Sequence, residues 1–576
     1  MIQLLDVFGF LSVVLRGLTL ALQSMVVGGL VFDLLIARAD AGAVAVQACR
    51  RLLAASALAL ALAQAGYLAA DTAILMGTAN LSLAAVSGAN FFVAGTIAAA
   101  LALAIAALAF WTARHPEEAS VVRGRRQAEA AIAARPSQEQ DLPRGRQRPA
   151  LAAALLLSLG VLAAAVATSH AAARLDDRIL LLALTSLHLA AIGCWIGGLP
   201  YLLLALGRAP GTAAARTVAS RFSRLAQGSA AVLLAAGLGL AVIYVGSPAA
   251  ILGTAYGAMV SAKAILLALL LGLGALNYYV VRRAEAGDAS GLAGLRRFAE
   301  AELGIGFTVI LAAASLTSQP PAVDLAARDL VSLPEIAARM APRPPRLVPP
   351  AANERLSPAL QKAAASSEGS ALDTYMSYVP GQLPEPPTPG EIALSEFNHN
   401  VSGLAVLLAG LLAFAARAGW RWARNWPLAF LALAVFLFLL ADAEYWPLGP
   451  VPFWRGFLVA EALQHRLAVL LIVAFAFYER RVQTGSATSP ATALVFPFVC
   501  FLGGALLLTH SHSLNNPKNE LLVELSHASI AILGVAAGWS RWLELRLPDG
   551  PRRALSWVWP VCFVLVGFLL LDYRES

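Results

Sequence analysis

Fourteen apolar runs of membrane-spanning length constrain this chain more than any other feature. Crossing the hydrocarbon core of a bilayer takes about 20 apolar residues as helix. The chain has 576 residues, of which 59% are hydrophobic and 13% charged, which is more apolar surface than a water-soluble core of ordinary proportions can bury. We therefore predict an all-α polytopic membrane protein of about fourteen spans. The runs lie at roughly 8–36, 52–75, 91–112, 150–170, 179–206, 224–246, 258–281, 299–317, 399–416, 427–442, 457–478, 490–509, 519–540 and 555–571.

Arginine orients these spans in the bilayer. Every second loop is rich in arginine, including the long loop from Arg114 to Arg148 and the loops that hold Arg417, Arg481 and Arg541. The positive-inside rule predicts that these loops are cytoplasmic and that both termini are periplasmic. The formal net charge of +8 therefore reflects an orientation in the lipid bilayer, and we expect no nucleic-acid partner.

A proline-rich segment divides the series of spans. Residues 321–396 contain PRPPRLVPP and PEPPTPG, compositions that favour extended backbone over a packed core. We predict an eight-helix bundle at 1–320, a periplasmic linker at 321–396 and a six-helix bundle at 397–576. A short helix is expected near Leu330–Met340, and His399 is expected at the opening of the second bundle.

Seven of the eight histidines fall in the periplasmic half of this topology. Ionisable groups inside a span are costly in hydrocarbon and often mark a pathway. Neutral imidazole suits Cu(II), Zn(II) or haem iron, with carboxylates as partners that fix its tautomer. We predict a metal or haem site in the second bundle, the alternative being inter-helix hydrogen bonds or a proton relay. The candidate metal-binding residues are His170 and His188 in the first bundle and His399, His465, His510, His512, His527, Glu461 and Glu524 in the second.

The stretch from about 150 to 322 resembles the CopD family of bacterial copper-resistance membrane proteins. The likeness rests on TSHAAARLDDRILLLALTSLHLAAIGCWIGGLPYLL, on the RFSRLAQG start of a later span and on the closing LAAASLTSQPPA. The matching positions are His170, His188, Trp195, Gly197, Gly198, Arg221, Phe222, Ser223, Lys263, Asn277, Pro320 and Pro321, with Ser169 where the family usually has glycine. The resemblance implies copper passage from periplasm to cytoplasm through His170 and His188, with a periplasmic carrier of the CopC type as donor.

The second bundle is similar to CtaG-type proteins, which are linked to copper insertion into cytochrome oxidase. The likeness lies in RNWPLAFLALAVFLFLLADAEYWPLG and in EALQHRLAVLL. Those proteins show His-x-x-x-His where this chain has Glu461 and His465. Asp442, close to Tyr445 and Trp446, also fits an interfacial aromatic belt.

The leading hypothesis is an inner-membrane copper transport or homeostasis protein with no enzymatic activity and no catalytic residues. The chain has no Walker motif and no phosphorylation sequence typical of ATP-driven metal pumps, so we expect no ATP-driven export. One alternative is a haem-bearing electron-transfer protein whose axial ligands are two of His465, His510, His512 and His527. Another is a cytochrome oxidase copper-assembly factor whose bundles mainly dock a partner.

Overall fold

The computed structural model describes residues 2–37, 41–115, 147–287, 291–317, 319–351, 354–365, 388–487, 489–508 and 517–575. Within these ranges the chain is helical, without a named strand, and has fourteen helices long and apolar enough to cross a membrane. The prediction of an all-α polytopic protein is confirmed. The helices are α1 Ile2–Val31, α2 Ala43–Thr78, α3 Asn90–Arg114, α4 Gln147–Ala167, α5 Arg178–Trp195, α6 Thr212–Val245, α7 Ala255–Glu285, α8 Leu292–Leu316, α9 Pro389–Arg417, α10 Leu428–Leu440, α11 Ala460–Gln483, α12 Val495–Leu508, α13 Pro517–Arg546 and α14 Asp549–Leu571.

Glycine lets α1 approach the end of α5 at backbone distance. A Cβ atom on Gly197 would lie 1.8 Å from the Ser24 carbonyl oxygen, and one on Gly28 would lie 2.2 Å from the Gly197 carbonyl carbon. Close backbone approach at small residues is the usual way in which helices associate in a membrane, where apolar side chains gain nothing by leaving lipid. Gly197 lies two residues after the end of α5, and the short helix Leu199–Leu206 completes the fifth span. Gly197 of the Trp-x-Gly-Gly motif therefore serves helix packing.

Replacing Gly197 by alanine should destabilise the protein by about 1–3 kcal/mol, because the added methyl group overlaps backbone that cannot turn aside. Thermal unfolding of the purified protein in detergent measures the change. Gly272 in α7 is the matched control, since a Cβ there meets no atom within 4 Å, and alanine is the better helix former. A Gly197→Ala protein that melts at the temperature of the Gly272→Ala protein would contradict this account of the interface.

The two sets of helices share one hydrophobic core. Residues Ala531, Val535 and Trp539 of α13 are buried in the same cluster as core residues of α1 to α8. Trp539 lies so close to Gly304 of α8 that a Cβ on that glycine would be 1.8 Å from the indole ring. Helix α13 thus packs directly against α7 and α8, and the bundles predicted on either side of the linker are joined through it.

The linker contains the expected short helix. Residues Leu333–Arg339 form about two helical turns, capped by Ser332 and Glu335 in a reciprocal capping box. The hydrogen bonds from Ser332 lower the pKa of Glu335 to about 2. The Glu335 carboxylate also forms an ion pair with Lys518 at the start of α13, at a distance of 3.0 Å.

Helix α9 begins earlier than predicted. A second capping box, between Thr388 and Glu391, starts the helix at Pro389 rather than near 397. His399 is therefore well inside α9, and the expectation that it opens the bundle is wrong. The polar first turns of this helix carry too little hydrophobicity for an apolar-run search to include them.

A buried ionic network joins four helices at the predicted cytoplasmic side. The guanidinium group of Arg541 in α13 contacts Glu479 of α11 at 3.0 Å and Glu544 at 2.9 Å. Glu544 also accepts from Arg417 of α9 and, at 2.9 Å, from the indole nitrogen of Trp559 in α14. The side chain of Arg541 is 6% exposed, so this arginine belongs to the packed interior and not, as its position suggested, to a solvated loop.

Candidate functional site

His188 lies inside α5, roughly three helical turns after its first residue, Arg178. Its ring packs against α6 where glycine leaves room: a Cβ on Gly237 would lie 3.3 Å from Cε1 and 3.5 Å from Nδ1 of the imidazole. The backbone of Leu233 and the charged end of Lys263 are also near the ring. Nδ1 is buried and has no hydrogen-bond partner in the described part of the chain. An imidazole nitrogen without a partner inside a membrane is costly, and a metal ion would satisfy it.

His170 begins the short helix His170–Ala173 between α4 and α5. Its Nε2 atom is 3.0 Å from the carbonyl oxygen of Thr317 at the end of α8. One turn later, Arg174 forms an ion pair of 3.0 Å with Asp324 in the linker. His170 and His188 therefore have different neighbours, and His170 lies at the predicted periplasmic mouth of the bundle.

Two motif residues converge on a carboxylate, Glu302, that is not among the predicted site residues. The indole nitrogen of Trp195 donates to Oε2 of Glu302 at 3.3 Å, and Nδ2 of Asn277 donates to Oε1 at 2.5 Å. Glu302 is 3% exposed and borders a cavity of about 280 Å³ between α5, α6, α7 and α8. A carboxylate inside an apolar run was the signal that could have found it.

In the second bundle, His465 pairs with Asp442. Its Nδ1 atom is 2.7 Å from Oδ1 of Asp442, which follows α10. The pair borders a cavity of about 10 Å³, next to Arg466, whose guanidinium lies 4.2 Å from the centroid of the Phe453 ring. A carboxylate that accepts from one ring nitrogen fixes the tautomer and directs the other toward a metal. Carboxylates are predicted in this role from the sequence, but at Glu461 and Glu524 rather than at Asp442.

His399 and His527 come together at a third place. Their ring centroids are 6.0 Å apart, and Tyr573 stacks on His399 at 3.8 Å and meets His527 edge-on at 5.8 Å. Each histidine forms a hydrogen bond to a backbone carbonyl of its own helix. Nδ1 of His399 is 2.8 Å from the Ser395 carbonyl oxygen, and Nδ1 of His527 is 2.9 Å from the Val523 carbonyl oxygen. With Nδ1 donating to a carbonyl, the remaining lone pair of each ring is on Nε2.

Of the other predicted ligands, the structure describes the side chain of Glu524 only. Glu524 is 9% exposed and lies one turn before His527 in α13. Glu461 belongs to α11, but its side chain is outside the described part, as are His510 and His512. Among the described residues, no three histidine, cysteine, aspartate or glutamate side chains are grouped to hold a metal ion. The predicted residues thus form separate pairs, and their role as metal ligands stays a prediction.

Comparison with known proteins places a family segment over part of this site. Residues 216–316 match the family described as copper resistance protein D, which confirms the resemblance seen in the sequence. The chain is also 31% identical over 171 residues to the copper transport protein CutJ of Bacillus subtilis (strain 168). The match covers 29% of this chain and spans only 30% of the length of that relative. No solved structure matches the chain.

Proposed function

We propose, on the premise that residues 216–316 are a CopD-family segment, that this multi-pass inner-membrane protein moves copper from the periplasmic to the cytoplasmic side. The observation that carries the proposal is the unpartnered Nδ1 atom of His188, buried against Gly237 of that segment. The name of the family and that of the relative both concern copper. Imidazole is a good ligand for copper, so the ion supplies the partner that Nδ1 lacks.

The path begins at His170 and continues to His188. His170 lies outside the long helices, where a soluble carrier of the CopC type could release its ion. His188 lies roughly 15 Å below the start of α5, at 1.5 Å per residue. Copper that reaches it has left water, and the histidine replaces part of its hydration shell.

The second bundle would receive or hold copper at His399 and His527, with His465 as a separate imidazole oriented by Asp442. His510 and His512 precede α13 in the chain, and they would complete a coordination sphere that His399 and His527 alone leave short. Glu461 and Glu524 would neutralise part of the charge of the ion. This assignment rests on ligand chemistry.

Copper uptake into liposomes tests the proposed function. The purified protein, reconstituted in liposomes that enclose a fluorescent copper chelator, should admit copper faster than liposomes without protein. The same preparation should bind copper by elemental analysis and show no Soret band in its absorption spectrum. Uptake equal to that of empty liposomes would refute transport, and a Soret band would favour the haem alternative.

Replacing His399 and His527 together by alanine should lower the copper content of the purified protein by about one ion per chain, because the paired imidazoles of the second site are lost. Elemental analysis after removal of free metal gives the ratio. His115→Ala is the control, since His115 ends α3 on the predicted cytoplasmic side. An unchanged ratio in the double variant would exclude a copper site at His399 and His527.

A further inference from the structure

The cavity beside Glu302 is mostly apolar, with a few polar groups from α6, α7 and α8. Its lining includes Trp195, Phe222, Gln227, Asn277, Tyr278 and Glu302, and Glu302 is the charged residue among them. Gly274 of α7 leaves space there, because a Cβ on it would lie 3.8 Å from the Trp195 ring and 3.9 Å from Oε1 of Glu302. A carboxyl group thus borders an opening between helices that are otherwise packed.

No cation pairs with Glu302 in the part of the chain that the structure describes. Its neighbour Glu300 pairs with Arg297 at 2.8 Å, and the hydrogen bonds of Glu302 in the described chain come from two neutral donors. Helix α12 and the helix Leu199–Leu206, which pack against α8, have no charged side chain. Other titratable groups on the packed elements include Arg16 near Asp71, Arg221 at the Ile36 carbonyl, Lys263 near His188, Tyr278 of the cavity, the pair Arg282 and Glu285, Glu524 and His527, the pair Arg541 and Glu544, and Arg546 at Glu300.

Asn277 can hydrogen-bond to Glu302 in both protonation states of the carboxyl group. With the carboxylate ionised, Nδ2 of Asn277 donates to Oε1, and Oδ1 of the same amide is buried without a hydrogen-bond partner. If the carboxyl takes a proton on Oε1 and the amide turns over, the new O–H donates to Oδ1. Trp195 donates to Oε2 in either case. Neither state leaves the carboxyl without partners, so gain and loss of a proton both fit the same geometry.

Trp195 connects this group to the proposed copper path. His188 and Trp195 are seven residues apart in α5 and so share a helix face, with Trp195 roughly 10 Å deeper. A positive ion at His188 and a proton on Glu302 would both add positive charge to one low-dielectric region. The field of the ion therefore favours release of the proton.

We propose that Glu302 is a proton-loading carboxyl that couples copper passage to proton movement, with Asn277 as its positioning residue. The inference rests on the proposed function. Glu302 takes one proton from water that enters the cavity and returns it as copper passes, without any change of oxidation state. The pair Asn277 and Glu302 in the helices α7 and α8 is the site, and its ligand is the proton.

Copper uptake under an imposed pH gradient tests the coupling. In liposomes, the native protein should change its copper uptake rate severalfold when the gradient is reversed, whereas Glu302→Gln should take up copper at a rate that does not depend on the gradient. Glu300→Gln, on the same helix and outside the cavity, should respond as the native protein does. A Glu302→Gln protein that keeps the native response overturns the inference and leaves copper transport standing, whereas no uptake by the native protein refutes the proposed function.

A spectroscopic measurement covers the case in which Glu302→Gln moves no copper. The pH-difference infrared spectrum of the native protein should contain a protonated-carboxyl band that is missing from Glu302→Gln and present in Glu300→Gln. Asn277→Leu should raise the pH at which this band is half-formed by about one unit, since the amide bonds the charged carboxylate more strongly than the neutral acid. A spectrum identical in the native and Glu302→Gln proteins overturns the proposal.

Discussion

Replacing His188 by alanine should reduce copper uptake into liposomes by at least about tenfold. Loss of a partner that merely orients a metal ligand typically costs 10–100-fold in affinity or activity, and loss of a ligand on the path should cost no less. The uptake rate is compared at equal amounts of folded, reconstituted protein.

The control for this variant is a histidine off the path. Nδ1 of His115 lies 3.0 Å from the carbonyl oxygen of Trp111 in its own helix, at the predicted cytoplasmic end of α3. His115→Ala should take up copper as the native protein does. If folded His188→Ala protein takes up copper at the native rate, His188 is not on the path.

Local sequence determines the spans but not their neighbours. Hydropathy over about 20 residues suffices to find fourteen helices, since each must satisfy its own backbone within lipid. The start of α9 was misplaced because the Thr388 capping box is a signal of hydrogen bonding, not of hydropathy. The contact of Trp539 with Gly304 joins residues far apart in the chain. No local sequence pattern predicts such a contact.

The same distinction explains the site. His188, His399 and His527 were found because a polar side chain in an apolar run is costly. Glu302 carries the same signal but lay near the edge of the run predicted at 299–317. Asp442 follows α10 next to aromatic residues, where an interfacial belt explains it equally well. Only the packing of α10 on α11 brings it to His465.

Replacing Arg541 by methionine should destabilise the protein by about 3–5 kcal/mol, the usual cost of removing one partner from a buried ionic pair. Methionine fills much of the arginine volume. It removes the guanidinium group that contacts both Glu479 and Glu544, so the two carboxylates repel each other. Glu479 then keeps the hydrogen bond that the Gln483 amide of its own helix donates to it. Thermal or denaturant unfolding in detergent measures the loss.

Arg480→Met is the matched control, because Arg480 follows Glu479 directly in α11 and its side chain is exposed. Its stability should stay within about 0.5 kcal/mol of the native value. Adding Glu479→Gln to Arg541→Met should recover part of the loss, since the amide removes the carboxylate that methionine leaves unpaired. If Arg541→Met is as stable as Arg480→Met, or if the second change brings no recovery, the buried network does not hold the four helices together. The arginine would then act only as a positive charge that orients the chain in the membrane.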